Sequence, residues 1–127
     1  MPREASLLTK KCVPCEGGVC PLRLEEVEPL MAQLGPEWRL IRESGKPKCL
    51  VRDYGDFTDF VGPMRFAQDV TDIAEAEGHH PDLKIRWGYV GVSYYTHAIG
   101  GLSENDFISA AKTEARYENR KSSYGIK

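Results

Sequence analysis

The run LKIRWGYVGVSYYTH, residues 83–97, constrains the fold more than any other stretch of the chain. It alternates, with Ile85 and Trp87 on one face before a turn at Gly88-Tyr89. Beyond it Val90, Val92, Tyr94 and Thr96 share one face, and Gly91, Ser93, Tyr95 and His97 the other. A link this short forces the two strands to pair antiparallel. The same logic applies upstream, where Trp38–Glu43 and Pro47–Asp53 read as strands joined by SGK.

Each hairpin follows a helical pattern. From Pro21 onward, Val27, Leu30, Met31 and Leu34 fall at i, i+3, i+4 and i+7, with glutamates in the first turns and LGPEW as the stop. A longer helix follows YGDFTDF, with Thr58 or Asp59 as its cap and Pro63 tolerable only near its start. Phe60, Val61, Met64, Ala67, Thr71 and Ala74 run down one side, Phe66, Val70 and Ile73 widen the stripe, and Gly78 is a left-handed stop. Ser103 and Asp106 form a capping box ahead of Phe107, Ile108, Ala110 and Ala111. The order α-β-β-α-β-β-α predicts an α+β fold, a four-stranded antiparallel sheet with three helices on one face. Residues 1–20 read as an irregular arm, 21–118 as the folded domain and 119–127 as a frayed tail.

At 127 residues the chain has room for one modest core. A net charge of -2 lacks the basic footprint of a nucleic-acid binder. No apolar stretch is long enough for a bilayer, and MPREASLLTK has no secretion-signal pattern, so a cytoplasmic location is expected. Cys12, Cys15 and Cys20 in CVPCEGGVCP raise zinc binding or dithiol cycling, but no fourth ligand is near. A loop of reduced thiols is the preferred reading, with Cys49 alone in a strand.

The three histidines sit at two spots, His79-His80 in EAEGHHP and His97 in YYTHAIGG. Histidine titrates nearest to neutral pH, so such a group suits proton transfer. Neighbouring rings point different ways, and Pro81 holds His80 extended. Three readings stay open on the residues alone: surface histidines ending a helix and a strand, a three-histidine metal site with Glu75, or metal-free acid–base catalysis. Against the metal, ligand pairs on a helix usually stand at i, i+4. No phosphate-cradling glycine loop, Walker loop or nucleophile elbow is present in the sequence, so cofactor-driven redox chemistry has no support.

The stretch EAEGHHPDLKIRWGYVGVSYYTHAIGGLSENDF resembles the signature of the pterin-4a-carbinolamine dehydratases, also called 4a-hydroxytetrahydrobiopterin dehydratases. The similarity rests on Glu75 four residues before His79, the His79-His80-Pro81 core, Trp87, Thr96-His97 and GGLSENDF; LLTKKCVPCEGG and Trp38 extend it. It implies the same α+β architecture, a homodimer or homotetramer, and dehydration of a 4a-hydroxytetrahydropterin to a quinonoid dihydropterin with no cofactor and no metal. It further implies His79 and His97 as acid–base groups, His80 as the residue that binds or orients the pterin, and Glu75 and Asp106 as carboxylates supporting the histidines. Asp106 reads equally well as a helix cap.

The resemblance implies a substrate wall from Gly78, His79 and His80 to Tyr95, Thr96, His97 and Ala98. Three positions depart from the pattern: Gly78 where many members carry Asp or Asn, bulky Tyr95 where some have serine, and Ala98 for an acidic residue of animal members. These bear on which pterin side chain is accepted. An aromatic amino acid hydroxylase in the same pathway is the implied source of substrate. A non-catalytic role is the alternative, since animal relatives stabilise a transcription factor's dimer and divergent ones assist assembly. No direct nucleic-acid or membrane contact is expected.

Overall fold

The computed structural model describes residues 7–12 and 21–126. Among these, α1 (Leu24–Leu34), β1 (Arg39–Glu43), β2 (Lys46–Tyr54), α2 (Val61–Glu77), β3 (Asp82–Arg86), β4 (Tyr89–Tyr94) and α3 (Glu104–Asn119) follow in order, with short 3-10 turns at Leu7–Thr9, His97–Ile99 and Lys121–Tyr124. The fold is α+β. All strand pairs are antiparallel, in the spatial order β1-β2-β4-β3. Central β2 and β4 turn Leu50, Arg52 and Tyr54, and Val90, Val92 and Tyr94, into the core against the helices.

Ser44 and Gly45 both have positive φ, 52° and 78°, the two-residue turn whose twist matches a hairpin. In the second hairpin the turn residues are Trp87 and Gly88, one position earlier than the alternation suggests, because Tyr89 pairs with Arg86. Trp87 therefore leaves the strand and stands 69% exposed. β4 likewise stops at Tyr94; Thr96 makes an isolated bridge with Gly101, and His97 opens a 3-10 turn instead of ending a strand.

Helix boundaries shift for identifiable reasons. α1 begins at Leu24, three residues after Pro21, where Glu26 Oε1 accepts the Arg23 N–H at 2.9 Å. α2 begins at Val61, with Asp59 Oδ1 accepting the Gly62 N–H at 2.8 Å, and Pro63 sits in the first turn where a missing donor costs nothing. Its buried stripe runs through Pro63, Phe66, Ala67, Val70, Ile73 and Ala74; Phe60, Val61, Met64 and Thr71 are exposed. Phe60, Val61 and Met64 thus lie off the core-facing side.

The described tail, residues 119–126, packs on the domain through Tyr124 instead of fraying. Tyr124 is buried and its hydroxyl donates to Asp69, whose carboxylate also meets Arg120 Nε at 3.1 Å. Gly62 makes room: a Cβ there would lie 2.4 Å from the Tyr124 carbonyl oxygen. The described part of the arm is also ordered against the domain, with Leu7 buried in the core. Cys15 and Cys20 lie outside the described residues. No described helix is long and apolar enough to cross a membrane.

Candidate active site

The site forms where α2 ends, β4 ends and α3 begins. Gly78 stops α2 in the left-handed region at φ 67°, with its N–H and that of His79 both bonded to the Ala74 carbonyl at 2.9 and 3.2 Å. Nothing lies within 4 Å of where a Cβ would stand at Gly78, so the constraint there is backbone conformation alone. Asp and Asn are the side-chain-bearing residues that best tolerate this conformation.

Four residues link α2 to β3, and they turn the two histidine rings to different partners. His79 Nε2 lies 2.6 Å from Asp106 Oδ1. His80 Nε2 lies 2.7 Å from Glu75 Oε2. His97 stands across from them on the short turn after Thr96, its ring 4.2 Å from that of Tyr95. The turn is closed by the Thr96 N–H donating to the Gly101 carbonyl at 2.8 Å and by Gly100 at φ 65°.

All three histidines line one open cleft of about 360 Å³, together with Gly78, Tyr95, Thr96 and Ala98. The residues expected as a substrate wall are therefore brought together. Glu75 and Asp106 lie outside the lining and touch it through His80 and His79. Pro81, Asp82 and Asn105 also line it. Nothing in the spacing marks Asp82 and Asn105, because one opens a strand and the other sits in a helix first turn.

Asp106 is the buried centre of the arrangement, with no exposed surface. Its Oδ2 accepts the Thr96 hydroxyl at 2.8 Å and the Ser103 N–H at 2.9 Å, so it belongs to the capping box at the α3 N-terminus. The Thr96 and Ser103 hydroxyls lie 2.9 Å apart. Three donors and the positive end of a helix compensate the carboxylate's lost hydration. A carboxylate only accepts, which makes His79 Nε2 a donor and leaves Nδ1 as the ring's exchangeable position. The Tyr94 ring lies nearly parallel to His79, 12° between planes and 6.1 Å between centroids, and further fixes the ring's attitude. Thr96 lines the cleft but uses its hydroxyl inward. The Ser103–Asp106 capping box is legible in the sequence, but Thr96 as a partner of Asp106 is not, since that meeting depends on the Thr96–Gly101 bridge.

Cys12 lies beside this region, its Sγ 3.5 Å from the Asn105 carbonyl oxygen and from the Ser109 hydroxyl. Burial pushes its thiol up to about 11, aided by the nearby Glu77 charge. It is thus held protonated at neutral pH, the form that does not attack disulfides. Among the described residues no three His, Cys, Asp or Glu side chains are grouped to hold a metal ion.

A histidine hydrogen-bonded to a carboxylate and two further histidines thus share one open cleft on an α+β scaffold. Residues 20–116 match the family model described as pterin 4 alpha carbinolamine dehydratase, and the chain belongs to that family, one of hydro-lyases. Proteins provisionally named pterin-4-alpha-carbinolamine dehydratases are similar over most of their length. The one from Rickettsia bellii is 49% identical over 109 residues, 86% of this chain and 92% of its own. The one from Chlorobaculum tepidum is 50% identical over 108 residues, 85% and 95% of the two chains. A crystal structure of a transcriptional coactivator/pterin dehydratase from Brucella melitensis superposes with a TM-score of 0.66 at 26% identity, covering 75% of this chain and 96% of the other.

Proposed function

We propose that the protein dehydrates a 4a-hydroxytetrahydropterin to the quinonoid dihydropterin and water, by histidine acid–base catalysis, as a step of tetrahydropterin recycling. The observation that carries this reading is the convergence of His79, His80 and His97 on one cleft, with His79 tied to the buried Asp106. A cleft of about 360 Å³ lies within the usual range for small-ligand sites and suits a flat bicyclic ring.

The reaction breaks the C4a–O bond and removes a ring N–H proton. Hydroxide leaves poorly, so one group protonates the departing oxygen while another accepts the nitrogen's proton, and the nitrogen lone pair forms the new C=N bond. No electrons enter or leave. His79 and His97 carry these protons, with His79 exchanging through Nδ1 while Asp106 holds its Nε2–H. His80, held by Glu75, orients the ring. Each acid–base group of this kind contributes about 10²–10⁴-fold.

The test is turnover of chemically generated 4a-hydroxytetrahydropterin by the wild-type chain and by His97→Ala, with several pterin side chains. The expected result is a loss of about 10²-fold or more in the variant. Equal rates overturn the catalytic reading. They would leave the second reading, a binding role, which the coactivator name of the Brucella protein favours.

A further inference from the structure

The described arm residues reach the two helix ends that supply the buried pair. Leu7, 2% exposed, anchors the arm in the core. Lys10 Nζ then lies 2.6 Å from Glu104 Oε2 in the first turn of α3. Lys11 Nζ donates to the Ala76 carbonyl in the last turn of α2 at 3.0 Å. The Cys12 N–H donates to Glu77 Oε1 at 2.9 Å, and its Sγ reaches the Asn105 carbonyl next to Asp106.

Glu77 is the junction. It is the last residue of α2, two before His79, and its side chain is only 7% exposed. One oxygen takes the arm's N–H, and the other meets Lys112 Nζ of α3 at 2.6 Å. Burial would raise the Glu77 pKa, but the Cys12 N–H and the Lys112 ammonium outweigh it and hold the carboxyl below its ordinary value. A single carboxylate thus ties three segments together next to the residues that place His79 and Asp106.

The family model's match begins at residue 20, beyond the described arm, whose LLTKKC resembles the arm of only some members. The cation at the end of α2 and the Lys10–Glu104 pair at the start of α3 both lie at helix termini, where unpaired backbone groups make charge effective.

We propose that residues 7–12 form a strap that holds the end of α2 against the start of α3 and so fixes the His79–Asp106 bond, with Glu77 as the positioning residue through which it acts. The proposal rests on the acid–base reading of that pair. Misplacing a reacting group by a fraction of an ångström lowers the rate with little effect on ground-state binding.

The test uses the full chain carrying Glu77→Ala, Glu77→Gln or the double change Lys10→Ala/Lys11→Ala. The readouts are kcat, KM and the ¹⁵N and ¹H signals of the His79 ring. Glu77→Ala is expected to lower kcat about tenfold with KM changed less than about twofold, and to weaken the hydrogen-bonded His79 Nε2–H signal. Glu77→Gln, which keeps an oxygen for the Cys12 N–H, is expected to recover kcat to within about threefold of wild type. The lysine pair replaces only solvent-reaching groups and is expected to cost about threefold. A folded Glu77→Ala with wild-type kcat and unchanged His79 signals overturns the strap. Should Glu77→Ala fail to fold, unchanged signals in the lysine variant overturn it instead. If the wild-type chain shows no turnover, the acid–base reading falls while the His79 signals still decide the strap.

Discussion

The two histidine–carboxylate pairs have nearly equal lengths, 2.6 Å for His79–Asp106 and 2.7 Å for His80–Glu75, yet their surroundings are opposite. The side chains of the first pair are 13% and 0% exposed, those of the second 60% and 72%. Distance alone would rank them as equals. Water does not: an exposed ion pair contributes about 0.2–1 kcal/mol, whereas a buried acceptor stripped of its donors costs about 1–3 kcal/mol per group. One histidine is fixed by the fold, and the other is guided by a partner that solvent competes for.

This contrast is sharpest in the variants expected to lose most. His79→Gln should lower kcat by about 10²–10⁴-fold in the dehydration assay, since on the proposed mechanism it removes the fixed acid–base group. Asp106→Asn should lower kcat by about 10²-fold and destabilise the fold by about 1–2 kcal/mol in urea unfolding, because one carboxylate serves both His79 and the α3 cap. A stable Asp106→Asn with normal kcat would erase the distinction between the pairs. Thr96→Val takes away one of Asp106's donors and should cost about 1 kcal/mol of stability. Glu75→Gln, on the exposed side, should change kcat/KM only about twofold and leave the melting temperature unmoved.

The smallest effect is a pH dependence behind the buried pair. The folded pKa of Glu77 is held below its ordinary 4.5. Its stabilisation is therefore present above that value and lost as pH falls through the folded pKa. The gap in Tm between wild type and Glu77→Gln should narrow as pH drops from about 6 to about 3. A gap that stays constant would show that the carboxylate's charge contributes nothing there.

Much of this was legible in the chain's order. Period 3.6 and period 2 alternate clearly enough to give three helices and two hairpins, and SGK and Gly78 mark a turn and a stop that the backbone uses. The histidine grouping is legible because Gly78 and Pro81 bracket it. The division of carboxylates is not: Glu75 is near His79 in sequence, but it meets His80, while His79 takes a residue 27 positions away. A turn in the left-handed region between helix and strand swaps the two, and sequence spacing cannot count that rotation.

Arg52 is a second such case. A charged residue on the core-facing side of β2, it is 8% exposed, with Nε 3.1 Å from Glu114 Oε1, which also accepts Trp38 Nε1 and the Tyr54 hydroxyl. Its guanidinium lies 4.0 Å over the Tyr54 ring. Binary patterning treats every charge as a surface residue, and it fails where a distant helix supplies the counter-charge. Trp87 fails in the opposite sense: large and apolar, it stands in solvent because the turn falls one residue early.

The double duty of Asp106 has a heritable consequence. Its carboxylate begins a helix and aims an imidazole at once, so natural selection sees a single trait where a biochemist sees two. Screens that score protein abundance and turnover separately should find the two losses moving together at this position and coming apart at Glu75.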